Sequence, residues 1–163
     1  MDIQFVRIDD RLIHGQVATV WVKKFNIERI LVVAEEVTKN PVRKVMLEQA
    51  APPGVYVNVI TPAKLIDIYF DPLFFSSKVM LLFTNPQEVV CAVKKGVVFP
   101  SVNIGGMSFS QGKKMLTNAV AVNEEDIRSF EYLTTKGIEL EVRKVFSDSK
   151  LQLMDLISKK KLF

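Results

Sequence analysis

Apolar residues fall along the chain in two rhythms that take turns. Short runs dense in Val, Ile, Leu and Phe read as strands: Ile3 to Ile8, Arg29 to Ala34, Tyr56 to Ile60, Lys78 to Phe83, Val97 to Ile104 with Pro100 interrupting it, Ala119 to Val122, and Ile138 to Val145. Between them the apolar positions take helical spacing. Gln16 to Phe25 places Val17, Val20 and Trp21 on one face, and after Asn40–Pro41 the residues Val42, Val45, Met46 and Ala50 form the expected buried stripe. Leu151 to Ile157 reads as a closing helix. Three helix starts share one device, at Asn40–Pro41, Thr61–Pro62 and Asn85–Pro86. Asn or Thr accepts from the first free amides, and proline has its backbone preset for the first helical position. Glu88 stands where the partner of a capping box belongs. Asn123 caps a helix whose first turn carries Glu124, Glu125 and Asp126, and Gly96 and Gly137 end helices.

Strands alternating with helices predict an α/β fold: a three-layer α/β/α open sheet, mostly parallel, of about six or seven strands. In such sheets ligands bind beyond the carboxyl ends of the strands. The loops that matter are then Asp9–Gly15, Glu35–Asn40, Thr61–Pro62, Thr84–Pro86 and Gly105–Gly112.

Composition acts mainly by exclusion. The 163 residues show no linker, low-complexity stretch or repeat, and residues 1–163 read as a single domain. No apolar run approaches the 18 or so residues of a transmembrane helix, and the acidic, polar start is not a secretory signal. A net charge of +4 is modest. Lys94–Lys95, Lys113–Lys114 and Lys159–Lys161 read as solvated surface, with the aromatics buried rather than interleaved among them, so nucleic acid is not an expected partner. The one cysteine, Cys91, lies in the run VVCAV and is expected to be a buried, inert thiol in a reducing, cytoplasmic compartment.

The single histidine, His14, lies in the loop after the first strand, within RIDDRLIHGQV. A neutral imidazole is a good nucleophile, Gly15 allows close backbone approach, and a helix mouth just beyond offers amides to phosphate. Arg11 is three residues away, and a guanidinium grips phosphoryl oxygens through two bonds. The residues alone also fit a plain surface histidine, an Arg11 paired with Asp9 or Asp10, and a Gly15 that only makes a turn. Of the two carboxylates, one is expected to orient Arg11 or His14 and the other to be exposed. Arg7, Arg11, Lys23 and Lys24 are candidates for steering an acidic partner. A metal cluster, a G-x-S-x-G elbow and a P-loop are all missing, since Gly112–Lys113 is followed by Lys114. Gly105–Gly106–Met107 lacks dinucleotide spacing and reads as a tight turn near the site. A small nucleic-acid binder and an enzyme with a deep substrate pocket remain as rivals.

The stretch RIDDRLIHGQVATVW resembles the IIB component of the mannose/fructose/sorbose class of the bacterial phosphoenolpyruvate-dependent sugar phosphotransferase system. The similarity extends to AAPPGVYVNV from Ala50, LLFTNPQEVV from Leu81, NIGGMSF from Asn103, and KGIELEVRKV with SDS near the C-terminus. It implies a phosphocarrier that accepts a phosphoryl group on Nδ1 of His14 from a phosphohistidine of the IIA component. The group then passes to a sugar of sorbose, fructose or mannose type held by the membrane components IIC and IID. Arg11 matches the family's active-loop arginine, and Asp9, Asp10, Gly15 and Gln16 match its neighbours. Asn85, Gly105 and Gly106 are expected on the rim. The resemblance implies no cofactor and no metal, a separate IIA protein, and a place at the cytoplasmic side of the transporter. Its alternative is a docking or regulatory domain of the same fold that carries no phosphate.

Overall fold

The expected alternation is realised as one seven-stranded sheet in the order β3-β2-β4-β1-β5-β8-β9. The structure is a computed structural model that describes residues 1–163 apart from Gln16 and Phe75. Its strands are β1 (Asp2–Asp9), β2 (Arg29–Val33), β3 (Tyr56–Ile60), β4 (Lys78–Phe83), β5 (Ser101–Gly106), β8 (Glu139–Val142) and β9 (Leu151–Gln152). All neighbouring pairs are parallel except β8–β9. A separate antiparallel ribbon joins β6 (Lys114–Met115) to β7 (Ala121–Val122). The three layers and mostly parallel sheet are those read from the sequence.

The two faces of the sheet carry different cores. Val6 and Ile8 of β1 point into the larger one, which α4 (Pro62–Tyr69), α5 (Pro86–Lys94), α6 (Glu124–Thr135) and α7 (Leu153–Lys160) cover with residues such as Leu65, Val89, Phe130 and Leu153. Phe5 points to the other face, packed with Leu12, Val17, Trp21, Val37 and Leu47. That face is covered by one turn of π-helix (Val17–Trp21) continuing into α1 (Val22–Lys24), and by α2 (Glu35–Thr38) and α3 (Pro41–Gln49). Phe5 stacks on Trp21 at 4.6 Å between ring centroids and on Phe25 at 4.7 Å. Full burial of one such side chain is worth about 1.5–3 kcal/mol.

The caps form as the residues dictate. Asn40, Thr61, Asn85 and Asn123 accept from the amides of Arg43, Lys64, Glu88 and Asp126, and Asn123 with Asp126 closes a full capping box. Glu88 does not reach back to its own cap. Its carboxylate accepts from the Glu35 amide at 2.9 Å and from the Thr84 hydroxyl, tying the start of α2 to the end of β4. Burial pushes the Glu88 carboxyl up; these bonds pull it down only in part, and nearby Glu35 and Glu36 push it further up.

Four local expectations fail. The α3 stripe is not buried: Val42, Val45 and Met46 are 69%, 49% and 66% exposed, and Ala50 is exposed too. The cause is the open edge of β3. Glu48 accepts from the amide of Val59, and that bond turns the Leu47–Glu48 side of α3 inward. Cys91 is exposed, because α5 buries Val89 and Ala92, and VVCAV is apolar on every side, so its pattern does not mark the inner face. Gly105–Gly106 is not a turn: both residues extend β5, which begins only after Pro100. The closing helix likewise starts at Leu153, with Leu151–Gln152 paired as β9.

Candidate active site

Asp9, the last residue of β1, is the hub of the site. It is fully buried and accepts five hydrogen bonds. Its Oδ1 takes the Arg11 amide at 3.1 Å, the side-chain-to-backbone bond of an Asx turn, and its carbonyl takes the Leu12 amide at 2.9 Å. The chain turns sharply here, and Leu12 adopts φ 62°, a conformation that costs a bulky side chain about 1–3 kcal/mol. Complete burial of the Leu12 side chain holds it there. The turn brings Arg11 back over the carboxylate, with Nε on Oδ1 at 3.2 Å and Nη2 on Oδ2 at 3.3 Å. Three residues beyond Arg11, His14 places Nε2 2.9 Å from Asp9 Oδ2.

This last bond assigns the tautomer. Burial pushes the Asp9 carboxyl up, but the hydrogen bond from His14, the charge of Arg7 and the hydrogen bond from Arg11 outweigh it and hold it below its ordinary value. An ionised carboxylate only accepts, so Nε2 carries the proton. Nδ1 of a neutral ring then keeps its lone pair. The His14 side chain is 28% exposed and that of Arg11 43%.

Beneath the loop lies a polar ladder across three strands. Arg7, Asn103 and Glu141 are register partners on β1, β5 and β8, on the face covered by Trp21. Arg7 Nη1 donates to Asn103 at 2.6 Å, and Nη2 donates to Asp9 Oδ2 at 2.9 Å. The same guanidinium reaches the carbonyls of Arg143 at 3.3 Å and Lys144 at 3.0 Å. Burial pulls the Arg7 guanidinium down, with Asp9 as its chief counterweight. Arg7 and Arg143 lie 5.4 and 5.1 Å from the Trp21 ring centroid. Arg7 Nε, Trp21 Nε1, Glu141 Oε2 and Arg143 Nε are buried with no hydrogen-bond partner among the described residues.

The two glycines work by what they lack. A Cβ on Gly105 would stand 2.0 Å from Arg7 Cζ, and one on Gly106 3.0 Å from Asp9 Oδ1. The β1–β5 register slips between Ile8 and Asp9, so Gly105 bulges under the guanidinium.

The predicted residues therefore part ways. His14, Arg11 and Asp9 are brought together. Asp10 is half-buried and binds the Ser108 amide and hydroxyl, fastening the loop after β5, so it is not the idle exposed carboxylate expected. Gly15 is exposed at φ 28°. Gln16 lies outside the described residues. Asn85 caps α5 at the same sheet end, with no bond to the His14 loop among the described residues. Arg7, expected at the surface to steer a partner, is sealed in the core. The amides of Asp10, Arg11, Leu12 and Val17 go to Gly106, Asp9, Asp9 and His14, so among the described residues of the loop those of 13–15 remain to offer backbone amides to a phosphate. Asn103, Glu141 and Arg143 were missed. For Asn103 and Glu141 the signal is a polar residue at an inward position of a strand; Arg143 follows directly after β8. Among the described residues no group of three or more His, Cys, Asp or Glu is placed to hold a metal, and no helix is long and apolar enough to cross a membrane.

The family model for the "PTS system sorbose subfamily IIB component" matches residues 3–163. The mannose-specific EIIAB component of Escherichia coli K12 is 56% identical over 159 residues, which is 98% of this chain and 49% of that protein. The chain thus spans about half the length of the curated relatives it matches first. The sorbose-specific EIIB component of Lacticaseibacillus casei is 47% identical, with 91% of this chain and 90% of that one aligned. The crystal structure of the IIBSor domain of the sorbose permease from Klebsiella pneumoniae superposes with a TM-score of 0.97 at 43% identity and covers 100% of both chains. With nearly every residue matched, in sequence and in fold, the chain belongs to the sorbose-subfamily IIB components of the phosphotransferase system.

Proposed function

We propose that this chain is a phosphocarrier of a sugar uptake system, taking a phosphoryl group onto Nδ1 of His14 from a phosphohistidine of a IIA component. The group then goes to a sugar of sorbose, fructose or mannose type presented by the membrane components IIC and IID at the cytoplasmic face. The observation that carries the reading is the 2.9 Å bond from His14 Nε2 to a buried, ionised Asp9, which leaves Nδ1 as the nucleophilic atom.

In the first step the Nδ1 lone pair attacks phosphorus and the donor's N–P bond breaks, its electron pair returning to the donor imidazole. Phosphoryl transfer passes through a loose transition state, so alignment and charge supply most of the rate. Arg11, held by Asp9 through Nε and Nη2, has Nη1 uncommitted among the described residues, which leaves it to donate to the equatorial oxygens. The phosphorylated ring is cationic, with Nε2–H still on Asp9, whose negative charge stabilises it. In the second step a sugar hydroxyl oxygen attacks phosphorus and the Nδ1–P bond breaks with its pair returning to the ring. The hydroxyl proton leaves to a base on the acceptor side. Incubation with phosphorylated IIA should label His14 with acid-labile phosphate, and His14→Ala should abolish labelling and sugar phosphorylation together. Full sugar uptake by His14→Ala would instead fit a docking domain that carries no phosphate.

A further inference from the structure

Beside Arg11 opens a cavity of about 340 Å³ whose walls include Asp10, Arg11, Ser108, Phe109, Asn118 and Lys144. Lys144 comes from the other side of the sheet centre, in the segment after β8. It also lines a neighbouring cavity of about 300 Å³, so it stands on the wall between the two. Its side chain is exposed and forms no ion pair among the described residues. The nearby anions are committed elsewhere: Asp10 to Ser108, and Asp148 to the Val145 amide.

The backbone of Lys144 is fixed with unusual care for an exposed residue. Arg7 Nη2 donates to its carbonyl at 3.0 Å, and Asn103 Nδ2 and Arg7 Nη1 hold the carbonyl before it at 3.1 and 3.3 Å. That same Arg7 Nη2 donates to Asp9, which orients both His14 and Arg11. One buried guanidinium therefore holds both the nucleophile's anchor and the backbone from which the Lys144 side chain projects.

Resting on the phosphocarrier reading above, we propose that Lys144 is a second cationic contact for the phosphoryl group, lining this cavity together with Arg11. The ligand is a phosphoryl dianion, met either as it arrives on His14 or as it leaves in the sugar phosphate. Arg11 supplies a planar, fixed donor set. Lys144 supplies a mobile point charge that follows the oxygens as phosphorus shifts between donor and acceptor. The Asp10 carboxylate also lines the cavity, its two oxygens accepting from the Ser108 amide and hydroxyl, so Arg11 and Lys144 together outnumber the one anion there.

The test compares Lys144→Met, Lys144→Arg and, as a control at the far end of α5, Lys95→Met. Each is given phosphorylated IIA to follow His14 labelling, then membranes holding IIC and IID to follow sugar phosphorylation. Lys144→Met should lower kcat of at least one half-reaction about 10-fold, the loss expected for one charge-assisted bond to the transferring group. Its Tm should be unchanged, Lys144→Arg should recover most of the rate, and Lys95→Met should match the wild type. Loss in the first half-reaction assigns the contact to the incoming group; loss confined to the second assigns it to departure. Rates within twofold of wild type in both, or a change in KM alone, overturn the proposal. If the wild-type chain takes no label at His14, the phosphocarrier reading itself has failed, and the Lys144 contact with it.

Discussion

At the scale of the residue, the site is an argument about one carboxylate. Asp9 compensates the buried Arg7, closes the Asx turn, holds Arg11 and fixes the His14 tautomer. Asp9→Asn keeps the size and loses the charge. It should leave Arg7 buried without its counter-ion, at a cost of about 3–5 kcal/mol in a denaturant titration. It should also slow phosphoryl transfer by about 10²-fold or more, because the amide no longer selects the Nε2-protonated ring. The pH dependence follows from the lowered Asp9 carboxyl. Its contribution to stability is complete above the ordinary carboxylate value and is lost as pH falls through the lower folded one, because the unfolded chain takes up the proton first. The acid limb of the wild-type stability curve should therefore be steeper than that of Asp9→Asn. His14 and Arg11 were legible from the sequence, since a lone histidine after a first strand with an arginine nearby is a chemical signal. Arg7 was not. Charge alone puts it on the surface, and only its register with Asn103 shows why it is inside.

At the scale of the element, the β1–β5 contact decides whether the site assembles. Gly105 bulges where Arg7 must cross, and a Cβ there meets the guanidinium at 2.0 Å. Arg7 is fully buried and tied through both terminal nitrogens to Asn103, Asp9 and the carbonyls of Arg143 and Lys144, so it has little room to swing away. Gly105→Ala should thus cost more than about 2 kcal/mol by overpacking, with transfer reduced in whatever remains folded. A Tm within a degree or two of wild type would show that β5 shifts freely. The α3 face makes the opposite case. Met46 is two-thirds exposed, so Met46→Ser should change stability by less than about 0.5 kcal/mol, whereas a core methionine loses several times that. Helix starts were legible because capping is local chemistry: Asn or Thr, then Pro. The inner face of α3 was not, because Glu48 and the open amide of Val59 choose it, and that bond spans 11 residues of sequence. The glycine pair misled for a related reason. Gly-Gly is a turn signal, and here it is strand with room cut out for a neighbour's side chain.

At the scale of the whole molecule, β1 is central, with β4 on one side and β5 on the other, and the chain runs from β1 toward β2 but from the adjacent β5 toward β8, into opposite halves of the sheet. Loops after such a strand diverge and leave a crevice, which is where the His14 loop sits. The alternating pattern was enough to place that loop at the carboxyl end of a mostly parallel sheet. Which strands neighbour it was beyond the pattern, because strand order is set by long-range packing of two cores rather than by local spacing. His14 stays partly exposed, and the core on the face opposite Trp21 is the larger of the two. The central claim is that Asp9 holds Nε2 so that Nδ1 carries the phosphoryl group. Phosphorus-to-nitrogen coupling in the phosphorylated chain, prepared with ¹⁵N-labelled histidine, tests it most directly. The account predicts coupling to Nδ1 with a protonated Nε2, and coupling to Nε2, or phosphate on any other residue, would contradict it.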